Sequence, residues 1–262
     1  MAYQTKKRFG QHFLHDQVVI QQIIAAARLT TETRTVEIGP GLGVLTDHLL
    51  RSSVQVDVIE IDRDLVERLQ QRTEPHLKIH QGDVLTLNWS DFLNLPPYTL
   101  VANLPYNISS QIVFRLLDHR PLFERMILMF QREVGERLAA PPGTKDYGVL
   151  SVLCQLWYDI QVVALVPPQS FRPPPKVDSI VLWFEPLASP RVVVDDEPFF
   201  RRVVKAAFTQ RRKTVRNSLQ AGGFSADQVD SALQHCSIVP TRRGETLTLD
   251  EFSALSRSLA VT

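Results

Sequence analysis

The sequence predicts an α/β fold: a mostly parallel sheet covered by helices on both faces, with a small helical domain after it. Three observations predict it. Short apolar runs alternate with segments of helical periodicity as far as residue 184. Several runs end in a glycine, an acid or an amide, at the strand ends where such sheets bind ligands. Beyond residue 184 prolines and acids interrupt the pattern, and the rest of the chain reads as helix alone.

The start, Lys6-Lys7-Arg8-Phe9-Gly10-Gln11-His12-Phe13-Leu14, is basic and aromatic. A helix is predicted over 18–28, where Val19, Ile20, Ile23, Ile24 and Ala27 recur at helical spacing. Residues 35–38 read as a strand and 39–43 as a tight glycine turn. A helix is next over 42–51, with Leu45, Leu49 and Leu50 on its apolar side. A second strand covers 54–60, and Asp62 is placed to cap a helix running to about residue 71. Further strands are expected at 77–80 and 98–102, the latter ending at Asn103. Ser109 or Ser110 is expected to cap a helix through 117 that Pro121 stops. Residues 126–130 are strand-like, and 148–155, 160–166 and 177–184 supply further apolar segments. Pro186, Pro190 and Pro198 then punctuate a stretch with Asp195, Asp196 and Glu197. This places a boundary near 186–198, with domains at 1–188 and 189–262. Helices are expected over 199–219, 225–235 and 249–259. No internal repeat is visible.

Composition narrows the function classes. Of 262 residues, 44% are hydrophobic and 22% charged, as in a globular chain with a full core. Lysine and arginine total 29 against 28 acids, a net charge of +1, so any basic face must come from uneven distribution. Cys154 and Cys236 form neither a metal-ligand set nor a disulfide framework, and Cys154, in an apolar run, reads as a buried thiol. No histidine pair stands at metal spacing on an evident helix face with an acid partner, so no metal site is expected. Glu133 and Glu136 read as helix-start or surface acids, within reach of Arg132 or Arg137, rather than as general bases. The start lacks an apolar signal core, and no run approaches the roughly 18 apolar residues of a membrane span. Asn107-Ile108-Ser109 is therefore not read as a glycosylation site, and a cytoplasmic location is expected.

Glu37-Ile38-Gly39-Pro40-Gly41-Leu42-Gly43 lies between a predicted strand and helix. Its glycines permit a tight turn and close approach of a ligand to backbone. Such turns also serve NAD, FAD and ATP, or only structure. The spacing is not G-x-G-x-x-G, and the Gly-Lys-Ser/Thr ending of a phosphate loop is absent. Glu60, ending the next strand, can accept from both hydroxyls of an adenosine ribose, a feature shared with NAD proteins. Asp83, in Gly82-Asp83-Val84-Leu85, is the discriminating residue. It can accept from the amino group of a cofactor adenine, which NAD proteins do not require, although in isolation it also reads as a turn or cap residue.

Seven blocks carry a more specific likeness: Gly10-Gln-His-Phe-Leu14, Glu37-Ile-Gly-Pro-Gly-Leu-Gly-Val-Leu-Thr46, Asn103-Leu-Pro-Tyr-Asn-Ile-Ser-Ser110, Gln131-Arg-Glu-Val-Gly-Glu-Arg-Leu138, Tyr147-Gly-Val-Leu-Ser151, Val166-Pro-Pro-Gln-Ser-Phe-Arg-Pro-Pro-Pro-Lys-Val-Asp-Ser179 and Ala207-Phe-Thr-Gln-Arg-Arg-Lys-Thr-Val-Arg-Asn-Ser-Leu219. In this order they span the chain, which resembles the ribosomal RNA adenine dimethyltransferase family. The resemblance implies a Rossmann-like class I S-adenosylmethionine-dependent methyltransferase sheet of seven strands with a small C-terminal helical domain. It places His12, Leu14, Gly39, Glu60, Asp83 and Asn103 around S-adenosylmethionine, with Gly41 and Val84 beside them. It implies dimethylation of two neighbouring adenosines in a hairpin near the 3′ end of small-subunit ribosomal RNA. The substrate would be an immature small subunit, and the enzyme is expected to act as a monomer.

The chemistry fits Asn103-Leu104-Pro105-Tyr106. An adenine amino nitrogen is a poor nucleophile because its lone pair is delocalised. The Asn103 side-chain oxygen and the Leu104 carbonyl can accept its two hydrogens and favour a pyramidal nitrogen. Pro105 stiffens the turn. Tyr106 offers a stacking ring, and Phe171, among prolines, a second wall, although a packed tyrosine and a core phenylalanine are the bland alternatives. Related DNA-methylating enzymes commonly carry two prolines before the aromatic, so a single one favours RNA.

Arg201, Arg202, Lys205, Arg211, Arg212, Lys213 and Arg216 form a run that no acid interrupts, interleaved with apolar residues. A single helix could dock one side and present the other to phosphates, though a solvated face would look alike. Lys6, Lys7 and Arg8 form a second candidate contact, and Arg242-Arg243 a weaker one. A DNA adenine methyltransferase and a non-catalytic RNA-binding assembly protein remain as rival readings.

Overall fold

The computed structural model describes residue 6 and residues 11–261. Lys7 and Arg8, expected to meet RNA, lie outside the described residues, as does Gly10 of the first block. In chain order the elements are β1 (Phe13–Leu14), α1 (Gln17–Ala27), β2 (Arg34–Ile38), α2 (Val44–Ser52), β3 (Gln55–Glu60), α3 (Arg63–Leu69), β4 (Leu77–Gln81), β5 (Tyr98–Asn103), α4 (Ser109–Asp118), β6 (Phe123–Gln131), α5 (Arg132–Ala139), α6 (Val149–Gln155), β7 (Tyr158–Val166), β8 (Phe171–Arg172), β9 (Ser179–Pro186), α7 (Glu197–Ala207), α8 (Val215–Ala221), α9 (Ala226–His235) and α10 (Leu249–Val261).

The chain divides into two compact units. One holds residues up to Gly135 together with Ile160–Pro186; the other holds Glu136–Asp159 and the chain from Leu187 onward. The crossing after Pro186 falls at the edge of the boundary expected near 186–198. Residues 136–159 join the second unit, which a single boundary does not anticipate.

In the first unit a seven-stranded sheet has the order β4-β3-β2-β5-β6-β9-β7. β4 through β6 are parallel, and β9 runs antiparallel to β6. Val56, Val58 and Ile59 of β3 and Leu100, Val101 and Ala102 of β5 are all buried. Successive residues alternate between faces, so both faces are covered and the strands read as unbroken apolar runs. α1 packs on β5 and β6, and α3 on β3 and β4. Asp16 caps α1 by accepting from Val18 and Val19 N–H, and Asp62 caps α3 by accepting from Asp64 N–H. α4 starts without a side-chain cap; the Ser109 hydroxyl, expected as one, donates instead to the Tyr106 carbonyl at 3.2 Å.

Outside the large sheet, β1 pairs antiparallel with β8, Phe13 opposite Arg172 and Leu14 opposite Phe171. Two-residue strands have no readable periodicity, and the sequence offers no sign of this pair. It ties the start of the chain to the segment before β9.

The second unit is mainly helical. α7 contacts α6, α8 and α10, and α9 contacts α8 and α10. Phe200, Val203, Val204, Val215, Leu219, Phe252 and Leu255 are buried. The single helix expected over 199–219 is two. α7 starts earlier, because Asp196 accepts from Phe199 N–H at 2.9 Å and Pro198 sits in the first turn, where its missing N–H costs nothing. α8 begins afresh at Thr214, whose hydroxyl accepts from Asn217 N–H, so Arg211-Arg212-Lys213 lie in the connection and not on a helix face. Among the described residues no helix is long and apolar enough to cross a membrane.

α5 meets β9 at Gly135, where an added Cβ would stand 2.1 Å from Ile180 Cγ2. Ile180 is itself buried and has little room to yield. Gly135→Val should therefore lower stability by about 1–3 kcal/mol through overpacking. An unchanged thermal midpoint would show that the contact relaxes freely.

Candidate active site

The strand order reverses direction between β2 and β5. In open α/β sheets that switch point leaves a crevice at the carboxyl ends of the strands. A cavity lies there, and His12, Leu14, Gly39, Gly41, Glu60, Asp83, Val84 and Asn103, the whole expected cofactor set, line it together with Leu104 and Tyr106.

The turn after β2 forms its floor. Gly39, Gly41 and Gly43 have φ of 67°, 58° and 86°, a region that other L-residues enter only at a cost. A Cβ on Gly41 would also meet the Phe13 ring at 2.9 Å. Gly39 N–H donates to Ile59 O and Gly82 N–H to Glu60 O, both at 2.9 Å, which locks the ends of β2, β3 and β4 together.

Three acids face this floor. Glu60 is buried, and its Oε1 accepts from Asp62 N–H at 2.8 Å. Asp83 Oδ1 accepts from Leu85 N–H at 2.9 Å. Glu37, not anticipated as a site residue, lines the cavity and accepts from the Thr46 hydroxyl at 2.6 Å. Ile61, also missed, is 45% exposed at the same cavity, and an apolar side chain left open there suits a planar ligand face. Its signal lay in its place directly after Glu60. The arrangement fits a ligand bearing vicinal hydroxyls and an amino-substituted ring.

Asn103 ends β5, and the chain turns sharply after it. Leu104 N–H donates to Met129 O at 3.2 Å, fixing the turn to β6. Asn103 Nδ2 donates to the His12 carbonyl at 3.1 Å, so the amide oxygen is the atom left for a ligand. The His12 ring donates from Nδ1 to Pro173 O at 2.7 Å and stacks with Tyr106 at 5.7 Å between centroids and 23° between planes. Tyr106 shares a hydrogen bond of 2.5 Å with the Ser179 hydroxyl, and burial raises its phenol above the usual range.

Phe171 is not part of this constellation. It is 1% exposed, does not line the cavity, and packs in the core with Val19, Ile20 and Val166. Pairing with Leu14 sets it there, so in this structure it is the core anchor and not an open stacking wall.

The expected RNA-facing cations divide. Lys6 Nζ contacts Asp62 at 2.5 Å and Asp64 at 2.7 Å, and these bonds push its amine up to about 12. Arg201 pairs with Glu197 at 2.7 Å, Arg216 with Asp230 at 2.5 Å, and Arg242 with Glu251. Arg202 lies over the Phe224 ring, 4.8 Å from its centroid, and Arg211 donates to Lys145 O at 2.6 Å. Arg202, Lys205, Arg211, Arg212 and Lys213 remain exposed. The run without acids in sequence is thus partly neutralised in space, by acids one helical turn away or on a neighbouring helix.

Burial pushes the Glu37 carboxyl up to about 8, with the Glu60 charge adding to it and the Thr46 hydroxyl opposing it. The folded chain therefore holds this proton more tightly than the unfolded chain, whose ordinary value is 4.5. The resulting stability is full below that value and is lost as pH rises through about 8. Glu37→Gln should flatten this dependence, measured as urea midpoints at acidic and alkaline pH. Parallel curves for the two proteins would count against a buried, proton-holding Glu37.

The profile of the ribosomal RNA adenine dimethylase family matches residues 2–260. The ribosomal RNA small subunit methyltransferase A of Syntrophotalea carbinolica is 60% identical over 257 residues, 98% of this chain and 97% of that protein. The crystal structure of a dimethyladenosine transferase from Plasmodium falciparum aligns with a TM-score of 0.77 and 28% identity, covering 93% of this chain and 96% of that one. That of the 23S rRNA methyltransferase ErmE aligns with a TM-score of 0.67 and 27% identity, covering 95% and 99%. The strand order, the cavity at its reversal and a likeness running the length of the chain agree: this is a methyltransferase with the Rossmann-like class I fold, and it belongs to the ribosomal RNA adenine dimethylase family.

Proposed function

We propose that the chain transfers methyl groups from S-adenosylmethionine to the N6 amino groups of two adjacent adenosines, in a hairpin near the 3′ end of small-subunit (16S) ribosomal RNA. It acts as a cytoplasmic monomer on the immature small subunit and serves its assembly. One observation carries the reading: the Asn103 amide is held by its nitrogen on the His12 carbonyl, at the edge of the cavity that Glu60 and Asp83 line. The 60% identity to a small-subunit enzyme, against 27% to one named for 23S rRNA, favours the small subunit.

Glu60 would hold the cofactor ribose, Asp83 and Val84 its adenine, and the turn at Gly39 and Gly41 its chain, with His12 and Leu14 closing the cavity. The bound cofactor supplies an electrophilic methyl group on sulfur. The protein's own task is orientation. The Asn103 oxygen and the Leu104 carbonyl accept the two hydrogens of the target amino group and turn its lone pair outward. Tyr106 stacks on the base, a contact worth about 1–3 kcal/mol. No strong base is needed, because the nitrogen sheds its proton readily once alkylated. Arg202, Lys205, Arg211, Arg212 and Lys213 meet phosphates.

Labelled methyl transfer to unmodified small subunits, naked ribosomal RNA and DNA, with digestion of each product to nucleosides, tests the reading. Dimethyladenosine from the small subunits is expected. Label on another base, or on DNA alone, would refute it. Asn103→Ala should leave cofactor affinity within about twofold and slow single-turnover transfer on the order of a hundredfold; equal rates would remove the role given to that oxygen. Replacing Arg211, Arg212 and Lys213 by Gln should weaken RNA binding and reduce the slope of log affinity against log salt by about 2–3, at roughly 0.7–0.9 per phosphate contact. An unchanged slope would show that these cations meet no phosphate.

A further inference from the structure

Ser179 opens β9, opposite Gln131 at the end of β6, and its side chain is fully buried. It does not line the cofactor cavity. Its Oγ lies 2.5 Å from the Tyr106 hydroxyl. In the sheet order β9 is two strands from β5, so the loop leaving Asn103 passes the end of β6 to reach it. Leu104 is pinned to β6 by its N–H on Met129 O, and Tyr106 to β9 by its hydroxyl.

We propose that Ser179 is a positioning residue for methyl transfer: its hydroxyl fixes the phenol of Tyr106, and with it the plane of the ring that receives the target adenine, before substrate arrives. The inference rests on the function proposed above. A tyrosine on a loop is free to turn about two side-chain bonds. Here two contacts of different kind remove that freedom, the Ser179 hydroxyl at the far end and the stacked His12 ring on one face, while the Ser109 hydroxyl on the Tyr106 carbonyl holds the backbone that carries the ring. Ser179 is held by a β-ladder and not by the loop it anchors, so the reference point is stiff. With His12 on one face, the other is presented to the base. A wall preset in this way needs no reorganisation when the base docks, which favours the aligned geometry over loosely bound ones.

A double-mutant cycle tests this. Ser179→Ala and Tyr106→Phe each remove one partner of the same hydrogen bond. Each should slow single-turnover transfer to small subunits about tenfold at saturating RNA. Cofactor affinity by calorimetry should stay within about twofold, and so should half-saturating RNA, because phosphate contacts dominate that affinity. The double variant should be no slower than about twofold below the slower single variant, the signature of a shared interaction. Ser179→Thr, which keeps the hydroxyl, should restore most of the rate. A Ser179→Ala enzyme as fast as wild type, or a double variant whose loss is the product of the two single losses, overturns the proposal. Failure of the wild-type protein to label adenine N6 would instead sink the function on which it rests.

Discussion

The reversal of strand order between β2 and β5 governs everything at the functional end of the molecule. From β2 the sheet extends through β3 and β4 on one side, and through β5, β6, β9 and β7 on the other. Helical connections lead away from the two central strands in opposite directions, so their carboxyl ends stay open between them. Glu37 and the glycine turn come from β2, Glu60 from β3 and Asn103 from β5. Residues distant in sequence meet because each lies at or next to the carboxyl end of its strand. The cavity and the loop from Asn103 to Tyr106 are neighbours for the same reason.

That geometry explains what was legible in the sequence. Strands buried on both faces appear as unbroken apolar runs, and β3, β5 and β6 stood out clearly. Glu60 and Asn103 were readable because a polar residue that ends such a run is conspicuous, and Asp83 because it follows a short strand in Gly82-Asp83-Val84-Leu85. The β1–β8 pair was not readable, since two residues carry no period, and the burial of Phe171 follows from that pair. The break between α7 and α8 was hidden because Arg211, Arg212 and Lys213 suit a helix by propensity, and only the hydrogen bond made by Thr214 restarts the chain. Asp62 was legible as a helix cap and no further. Its second task, holding Gln11 at 2.9 Å and Lys6 at 2.5 Å, joins segments far apart in sequence that no local pattern connects.

Charge was the least legible property, for a related reason. The run from Arg201 to Arg216 contains no acid, yet Glu197 one turn before it and Asp230 on another helix take two of its members. The Arg216–Asp230 pair is exposed and adds little stability. The effect of both pairs is on where positive potential remains: exposed cations are kept at Arg202 and Lys205 of α7 and in the connection. There Arg212 and Lys213 make no ion pair among the described residues.

The buried carboxyls show what the site costs the fold. Away from bulk water each needs a donor, and each has one: the Thr46 hydroxyl for Glu37 and Asp62 N–H for Glu60, while the half-buried Asp83 takes Leu85 N–H. Two of these donors are backbone groups just beyond strand ends, so the acids are aimed by the same turns that open the cavity. Desolvation still dominates at Glu37 and Glu60, whose carboxyls are both raised. A chain selected for stability alone would place apolar residues there. Polar groups fixed before the ligand arrives need not reorganise when charge develops, and that advantage exists only if the fold bears their desolvation beforehand. The Asn103 amide, tied by its nitrogen to the His12 carbonyl at the edge of the cavity, is fixed in the same way.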